Sequence, residues 1–209
     1  WTYTGVNWIS GYRYKIWTYA ADEAGNNETA SERLDLTYDA EEPNTSISVP
    51  AASPNNKLKS LSEINGNASD STGNFYALGV STFVVQDPIL GVNANKGVQI
   101  ALRNLSYPST YYAGGGNWNS TSHVWFYTHY SSMTNVWSIE RDADNLGTFS
   151  GPGSPADGNY DAITRAYDNA GNYETSYATR TFLWDTTPPV SSINYPSSNT
   201  YIGSLASIS

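Results

Sequence analysis

Cysteine is absent from this chain, which excludes disulfide staples and thiol chemistry. Basic residues are few: 10 Lys and Arg stand against 19 Asp and Glu, a formal net charge of -9. That balance argues against nucleic acid and anionic membrane surfaces, whose phosphates demand a basic face. No apolar run approaches the roughly 20 residues of a spanning helix, and no signal-peptide pattern opens the chain. Strong helix formers are scarce, and no amphipathic helical stretch stands out. Histidine is limited to His123 and His129; six residues along a strand separate them by about 20 Å, beyond shared coordination. No Ser–His–acid set, Gly-rich phosphate loop or Cys–His cluster occurs, and nothing orders a carboxylate pair around a cleft. The expectation is a protein that is not an enzyme.

What is plentiful points one way. Tyr (17) and Trp (7) accompany abundant Ser, Thr, Asn and Gly. Aromatic and β-hydroxylated residues suit half-buried pleated strands, and Gly, Asn, Asp and Pro suit the turns between them. The class is all-β, and 209 residues can bury a proper core. Low Lys with abundant Asn, Ser and Thr reads as extracellular. Asn-x-Ser/Thr sequons begin at Asn27, Asn44, Asn67, Asn104 and Asn119, about the number that such a composition yields by chance.

The chain echoes itself. "AADEAGNNET" (Ala20–Thr29) returns as "AYDNAGNYET" (Ala166–Thr175), with Asp22, Asn26 and Glu28 each 146 positions before Asp168, Asn172 and Glu174. "DAEEP" (Asp39–Pro43) answers to "DTTPP" (Asp185–Pro189), and Ile47 and Pro50 answer to Ile193 and Pro196 at the same offset. A period of this length marks tandem whole domains rather than a solenoid. Residues 44–189 then make one complete unit, 1–43 the last strands and linker of a preceding one, and 190–209 the first strand of a following one. The flanks read as an excerpt from a longer array, with exchange of strands between molecules as the rarer reading.

Within the unit, "SLSEINGNASD" (Ser60–Asp70), "KGVQIALRNLSY" (Lys96–Tyr107), "HVWFYTHY" (His123–Tyr130) and "NVWSIE" (Asn135–Glu140) read as strands. "NYDAITRAYD" and "TSYATRTFLWD" close it as a hairpin around Asn169–Asn172. Ser71–Asn95 is longer than a connecting loop needs and reads as an insertion, with "STFVVQD" (Ser81–Asp87) a short strand inside it. Some seven short strands predict an immunoglobulin-like β-sandwich. Tyr160 in "DGNY" and Tyr14 in "SGYRY" fit a tyrosine corner, whose hydroxyl bonds back to the chain.

At "LSEINGNASD", the Gly-x-Tyr corner, "YDNAGNYE" and "DTTPP" the chain resembles the bacterial Ig-like repeats of large cell-surface and adhesin proteins. The resemblance covers most of one unit apart from 71–95. It implies an extracellular spacer or adhesive module that forms a rod or surface filament, often strengthened by calcium at domain junctions. Neighbouring copies of the repeat are the partners it implies.

Two readings account for the recurring motif. Gly25 and Gly171 suit left-handed turn positions, and Asp and Asn can bond the turn's own amides. On the immunoglobulin topology, however, the last hairpin loop shares a pole with the incoming linker and the early loop. Asp39, Glu41, Asp70, Asp168, Asn172 and Glu174 would then gather where Ca²⁺, which takes six to eight oxygens, could bind. "DADNLG" (Asp142–Gly147) places Asp at positions one and three and Gly at six of an EF-hand loop, but Leu146 and Gly153 occupy ligand positions, so it reads as a turn.

Aromatic residues crowd one further region: Tyr111, Tyr112, Trp118, Trp125 and Tyr127 around "AGGGNWN". Exposed, they would stack on sugar rings, which gives a carbohydrate-binding alternative with surface glycans as ligand; packed inward, they would supply the core.

Overall fold

The computed structural model describes residues 1–29, 33–70, 80–82, 84–86, 93–106, 108–140, 155–196, 198 and 201–204. It is all-β: no helix occurs among the described residues, and so none is long and apolar enough to cross a membrane. The strands are β1 (Tyr12–Trp17), β2 (Arg33–Tyr38), β3 (Asn44–Val49), β4 (Lys57–Leu58), β5 (Glu63–Ser69), β6 (Val84–Gln86), β7 (Asn93–Asn104), β8 (Thr110–Gly114), β9 (Asn117–Ser120), β10 (Phe126–Ser131), β11 (Val136–Glu140), β12 (Gly158–Ala166) and β13 (Ala178–Trp184).

Strands β1 and β2 form a separate antiparallel hairpin; the others join in the order β3-β5-β11-β10-β7-β12-β13-β4, with β6 and β8 beside β7 and β9 beside β8. Among the described residues only β4 on β13 pairs in parallel. The sheet curls because β10 serves two partners. Its first half pairs with β7 (Phe126 opposite Ile100) and its second half with β11 (Tyr130 opposite Trp137), with a register shift after Tyr127. Strands β3, β5 and β11 thereby enclose one core with β7, β12 and β13. Ile47, Ile64, Trp137 and Ile139 pack there with Val98, Ile100, Leu102, Tyr160, Phe182 and Trp184.

Alternation along the strands explains which residues go inward. On β10, Phe126, Thr128 and Tyr130 are buried while His129 is exposed. The buried Thr128 hydroxyl donates to the Val98 carbonyl at 3.0 Å, as a desolvated polar group requires. On β7 both faces are buried, since Gln99 and Ala101 are nearly as inaccessible as Ile100 and Leu102. The strand expected from His123 starts instead at Phe126, and the aromatic hairpin around the glycine turn is formed by β8 and β9. Of the inserted stretch 71–95, the strand in "STFVVQD" is present as β6, paired with β7. Residues 71–79 and 87–92, like Asp142–Gly147, lie outside the described residues.

The 146-residue offset carries into the geometry. Tyr12 opposes Tyr38 and Trp17 opposes Arg33 in β1–β2; Gly158 opposes Trp184 and Ile163 opposes Thr179 in β12–β13. Every one of the six β1–β2 pairs recurs 146 positions later. Burial does not recur. Tyr160 and Phe182 lie in the core, whereas their counterparts Tyr14 and Leu36 are only partly covered and the neighbouring Trp17 and Leu34 are each 59% exposed.

Gly66 on β5 sits at a tight point of the core, where a methyl group would collide with the Ser46 carbonyl and the Trp137 ring. Gly66→Ala is expected to lower unfolding free energy by on the order of 3 kcal/mol through overpacking. Met133→Ala, on an exposed turn, should stay within about 0.5 kcal/mol of the parent. Urea denaturation of the two variants distinguishes them, and an equal effect would contradict the packing described.

Candidate junction site

Three acidic residues each follow a strand end: Asp39 after β2, Asp70 after β5 and Asp168 just past β12. The topology gathers them, with one carboxylate oxygen from each lying within 4.8 Å of the others. Asp39 and Asp168 are buried and Asp70 is partly so. Three anions at this spacing repel, by about 1 kcal/mol per pair in bulk water and several times that near a protein surface. The spacing also suits shared coordination, because Ca²⁺ binds oxygen at roughly 2.3–2.6 Å and so spans about 5 Å across its shell.

The other three residues expected to join them do different work. Asn172 is a brace: its amide Nδ2 donates to Asp168 Oδ2 at 2.7 Å and to the Asp39 carbonyl at 3.1 Å. Both partners are acceptors, so the nitrogen and not the carbonyl oxygen faces the cluster. Glu41 is exposed, and its contribution is a backbone N–H donated to Asp39 Oδ1 at 3.1 Å. Glu174, 2% exposed, turns into the protein. Its carboxylate accepts the Thr45 N–H at 3.1 Å, the Thr45 hydroxyl at 2.8 Å and the Ala166 N–H at 3.2 Å. It therefore fastens β3 to β12 rather than lining an ion site.

These bonds explain why Asp, Gly, Asn and Glu recur. Asp168 Oδ1 accepts the N–H of Gly171 at 2.7 Å and of Asn172 at 2.8 Å. In the earlier copy Asp22 accepts the Asn26 N–H at 2.8 Å and its amide at 2.7 Å. Glu28 accepts the Ala20 N–H at 3.1 Å, matching Glu174 on Ala166. Gly25 (φ 85°) and Gly171 (φ 98°) both occupy the left-handed region, which a Cβ disfavours. Turn geometry and a carboxylate closing the hairpin thus account for the motif in both places. The acidic cluster of Asp39, Asp70 and Asp168 lies at the second copy.

A strap crosses this pole. Thr175 donates its N–H and hydroxyl to Glu42, both at 2.9 Å to Oε2. With Asn172 on Asp39, this ties the segment leaving β2 to the hairpin beyond β12. Nothing local in the sequence signals the Glu42–Thr175 pair. The tyrosine corners are present too: Tyr160 donates to the Ala156 carbonyl at 2.7 Å, and the Tyr14 hydroxyl accepts the Ile9 N–H at 2.7 Å.

The aromatic region divides instead of forming one exposed strip. Tyr112 is core, 1% exposed, against Phe126, and Trp118 packs on it and edge-on to Tyr160. Tyr112 offers no face to a sugar, and Trp118 is partly buried. Trp125 lies under the Arg165 guanidinium at 4.2 Å, stacks on His123 and meets Tyr177 edge-on. Tyr111 contacts His123 at 4.6 Å, and Tyr127 is half-buried. Burial, followed by the charges of Arg103 and Arg165, holds His123 below its ordinary value. Tyr177 and Arg165 carry no signal of this grouping in the sequence, because they come from β12 and the stretch before β13, remote from the glycine turn.

No family model matches the chain, and no curated protein matches it.

Burial pushes the Glu174 carboxyl above its ordinary value of 4.5, against the pull of the Thr45 and Ala166 donors. The folded state therefore favours its protonated form more than the unfolded chain does. That contribution is complete below the unfolded value and fades as pH rises from about 4.5 through the raised folded value. In Glu174→Gln the side chain is neutral throughout. The stability of this variant relative to the parent should rise with pH across that window and then level off, as read from urea midpoints. A pH-independent difference would contradict it.

Proposed function

We propose that the chain is part of a tandem array of immunoglobulin-like units and serves outside the cell as a spacer or adhesive rod, without enzymatic activity. Residues 44–189 are one unit, 1–43 the end of its predecessor and 190–209 the start of its successor. The observation that carries this reading is the recurrence of one hairpin, in register and in hydrogen bonds, 146 residues apart, with a strap joining the first copy to the unit containing the second. Asn172 and Thr175 hold that strap at Asp39 and Glu42, and Pro43 limits the backbone where the unit begins. A junction held in this way resists bending, which is what a spacer needs. The bacterial cell surface is the location this reading assigns.

Ca²⁺ belongs to the proposal as a reinforcement of the same junction. Asp39, Asp70 and Asp168 would ligate it, and the ion would relieve their mutual repulsion while tying linker, early loop and hairpin together. The test takes a protein of at least two complete units. Its melting temperature and its hydrodynamic length should increase with Ca²⁺ and return with chelator, and Asp168→Asn should blunt both responses. If neither quantity responds in the parent, the ion is removed from the reading. If the two units also tumble independently in small-angle scattering, the rod itself is overturned.

A further inference from the structure

Strand β7 is buried on both faces, and the core accounts for one of them. On the other, Gln99, Ala101 and Arg103 lie opposite Arg165, Ile163 and Asp161 of β12. Ala101 and Ile163 are 0% and 4% exposed yet stand outside the core cluster. Arg165 belongs here to a continuous row. Tyr111, His123, Trp125, Arg165, Tyr167 and Tyr173 follow one another at 4.6, 5.2, 4.2, 5.2 and 5.6 Å, measured between ring centroids or to the guanidinium carbon. Arg103 lies over Tyr111 at 6.0 Å. In such a row neighbours occupy the ring faces, which leaves the edges, the positive side of the ring quadrupole, for solvent.

The two arginines of this face differ in their partners. Arg103 is neutralised by Asp161, to which its Nε donates at 3.1 Å and Thr181 gives a hydroxyl at 2.6 Å. Arg165 donates its Nε to Gln99 Oε1 at 2.8 Å, and its guanidinium lies over Trp125 and Tyr167. Among the described residues no carboxylate pairs with Arg165, and its two terminal nitrogens make no hydrogen bond. Acidic residues outnumber basic ones 19 to 10 in this chain, so a cation oriented by a buried amide and left unneutralised stands apart. Burial, and then the charges of Arg103 and Arg165, disfavour the charged form of His123 beside it, the mark of a locally positive field. Tyr177 is 36% exposed and turned 71° and 73° from His123 and Trp125. It lies across the row instead of within it, so its ring is open to a ligand.

We infer that this face binds a carboxylated sugar, a uronic acid residue of an acidic polysaccharide, with Arg165 on the carboxylate and Tyr177 against the sugar ring. The planar fork of a guanidinium matches the two oxygens of a carboxylate, and Gln99 with the flanking rings holds that fork in place before any ligand arrives. An acidic peptide fits less well. Strands β7 and β12 are both paired on either side, so no open edge is present here for a peptide backbone to extend. Recognition must come from side chains, and those present are a cation beside an exposed ring. The inference gives the adhesive part of the proposed function a ligand class. It uses residues of one unit alone, from Gln99 to Tyr177, so it can fail without the rod failing.

The 209-residue protein is titrated with trigalacturonate in EDTA, which keeps divalent ions from bridging the ligand to the acidic triad. Calorimetry should show saturable binding, and the imidazole NMR signals of His123 should move while those of His129 stay in place. The methyl-esterified trisaccharide, which lacks the charges, should bind at least about tenfold more weakly. Arg165→Gln should cost a similar factor, and Arg165→Lys, which keeps the charge and loses the fork, should recover only part of it. Tyr177→Ala should weaken binding about fivefold with the urea midpoint of the parent, which tests the site even where an Arg165 variant folds poorly. Absence of saturable binding, equal affinity for the ester, or equal shifts at His123 and His129 would each overturn the inference. A triglutamate peptide that binds as tightly as the trisaccharide would overturn the assignment to a sugar.

Discussion

The buried carboxylate of Glu174 holds the architecture closed. The curled sheet leaves β3 lying against β12 and β13 without a ladder between them, so main-chain pairing alone cannot fix their spacing. Three donors from two sides converge on this one side chain, and the Thr45–Thr164 hydroxyl pair lies beside it. Arg180 adds a bond to the Ile47 carbonyl at 2.7 Å farther along β3. A charge that far from water is costly unless hydrogen-bonded, and this environment places the acid where its bonds, not its solvation, determine the position of the first strand.

The same pole carries the acidic triad and the strap from β2, so closure of the sheet and orientation of the preceding segment are mechanically linked. Asn172 is the connecting part: one amide group bonds Asp168 within the hairpin and the Asp39 backbone across the junction. Movement of the strap is therefore transmitted to the turn that Glu174 anchors, two residues on.

Much of this was legible in the sequence where the signal was local or periodic. The alternation of Val98, Ile100 and Leu102 pointed to β7, and the 146-residue offset located two hairpins that share a register. The approach of Asp39, Asp70 and Asp168 followed from one topological argument about which strand ends share a pole. What remained hidden depended on contacts without period. Burial on both faces of β7 depends on neighbours supplied by distant segments. Glu174 and Asn172 group with the acids by composition, yet hydrogen bonds to Thr45 and the Asp39 backbone, each over a hundred residues away, turn them to other uses. Tyr112 and Trp118 could not be assigned inward or outward until the β8–β9 hairpin fixed which way each points.

The short parallel ladder of β4 on β13 has one further consequence. In this ladder β4, near the start of the unit, and β13, at its end, run in the same direction. Tension along the polypeptide would drag these two strands past each other lengthwise, loading the bonds at Leu183 and Asp185 together instead of peeling them apart one at a time. A few amide bonds set across the line of pull thus act as a latch against stretching.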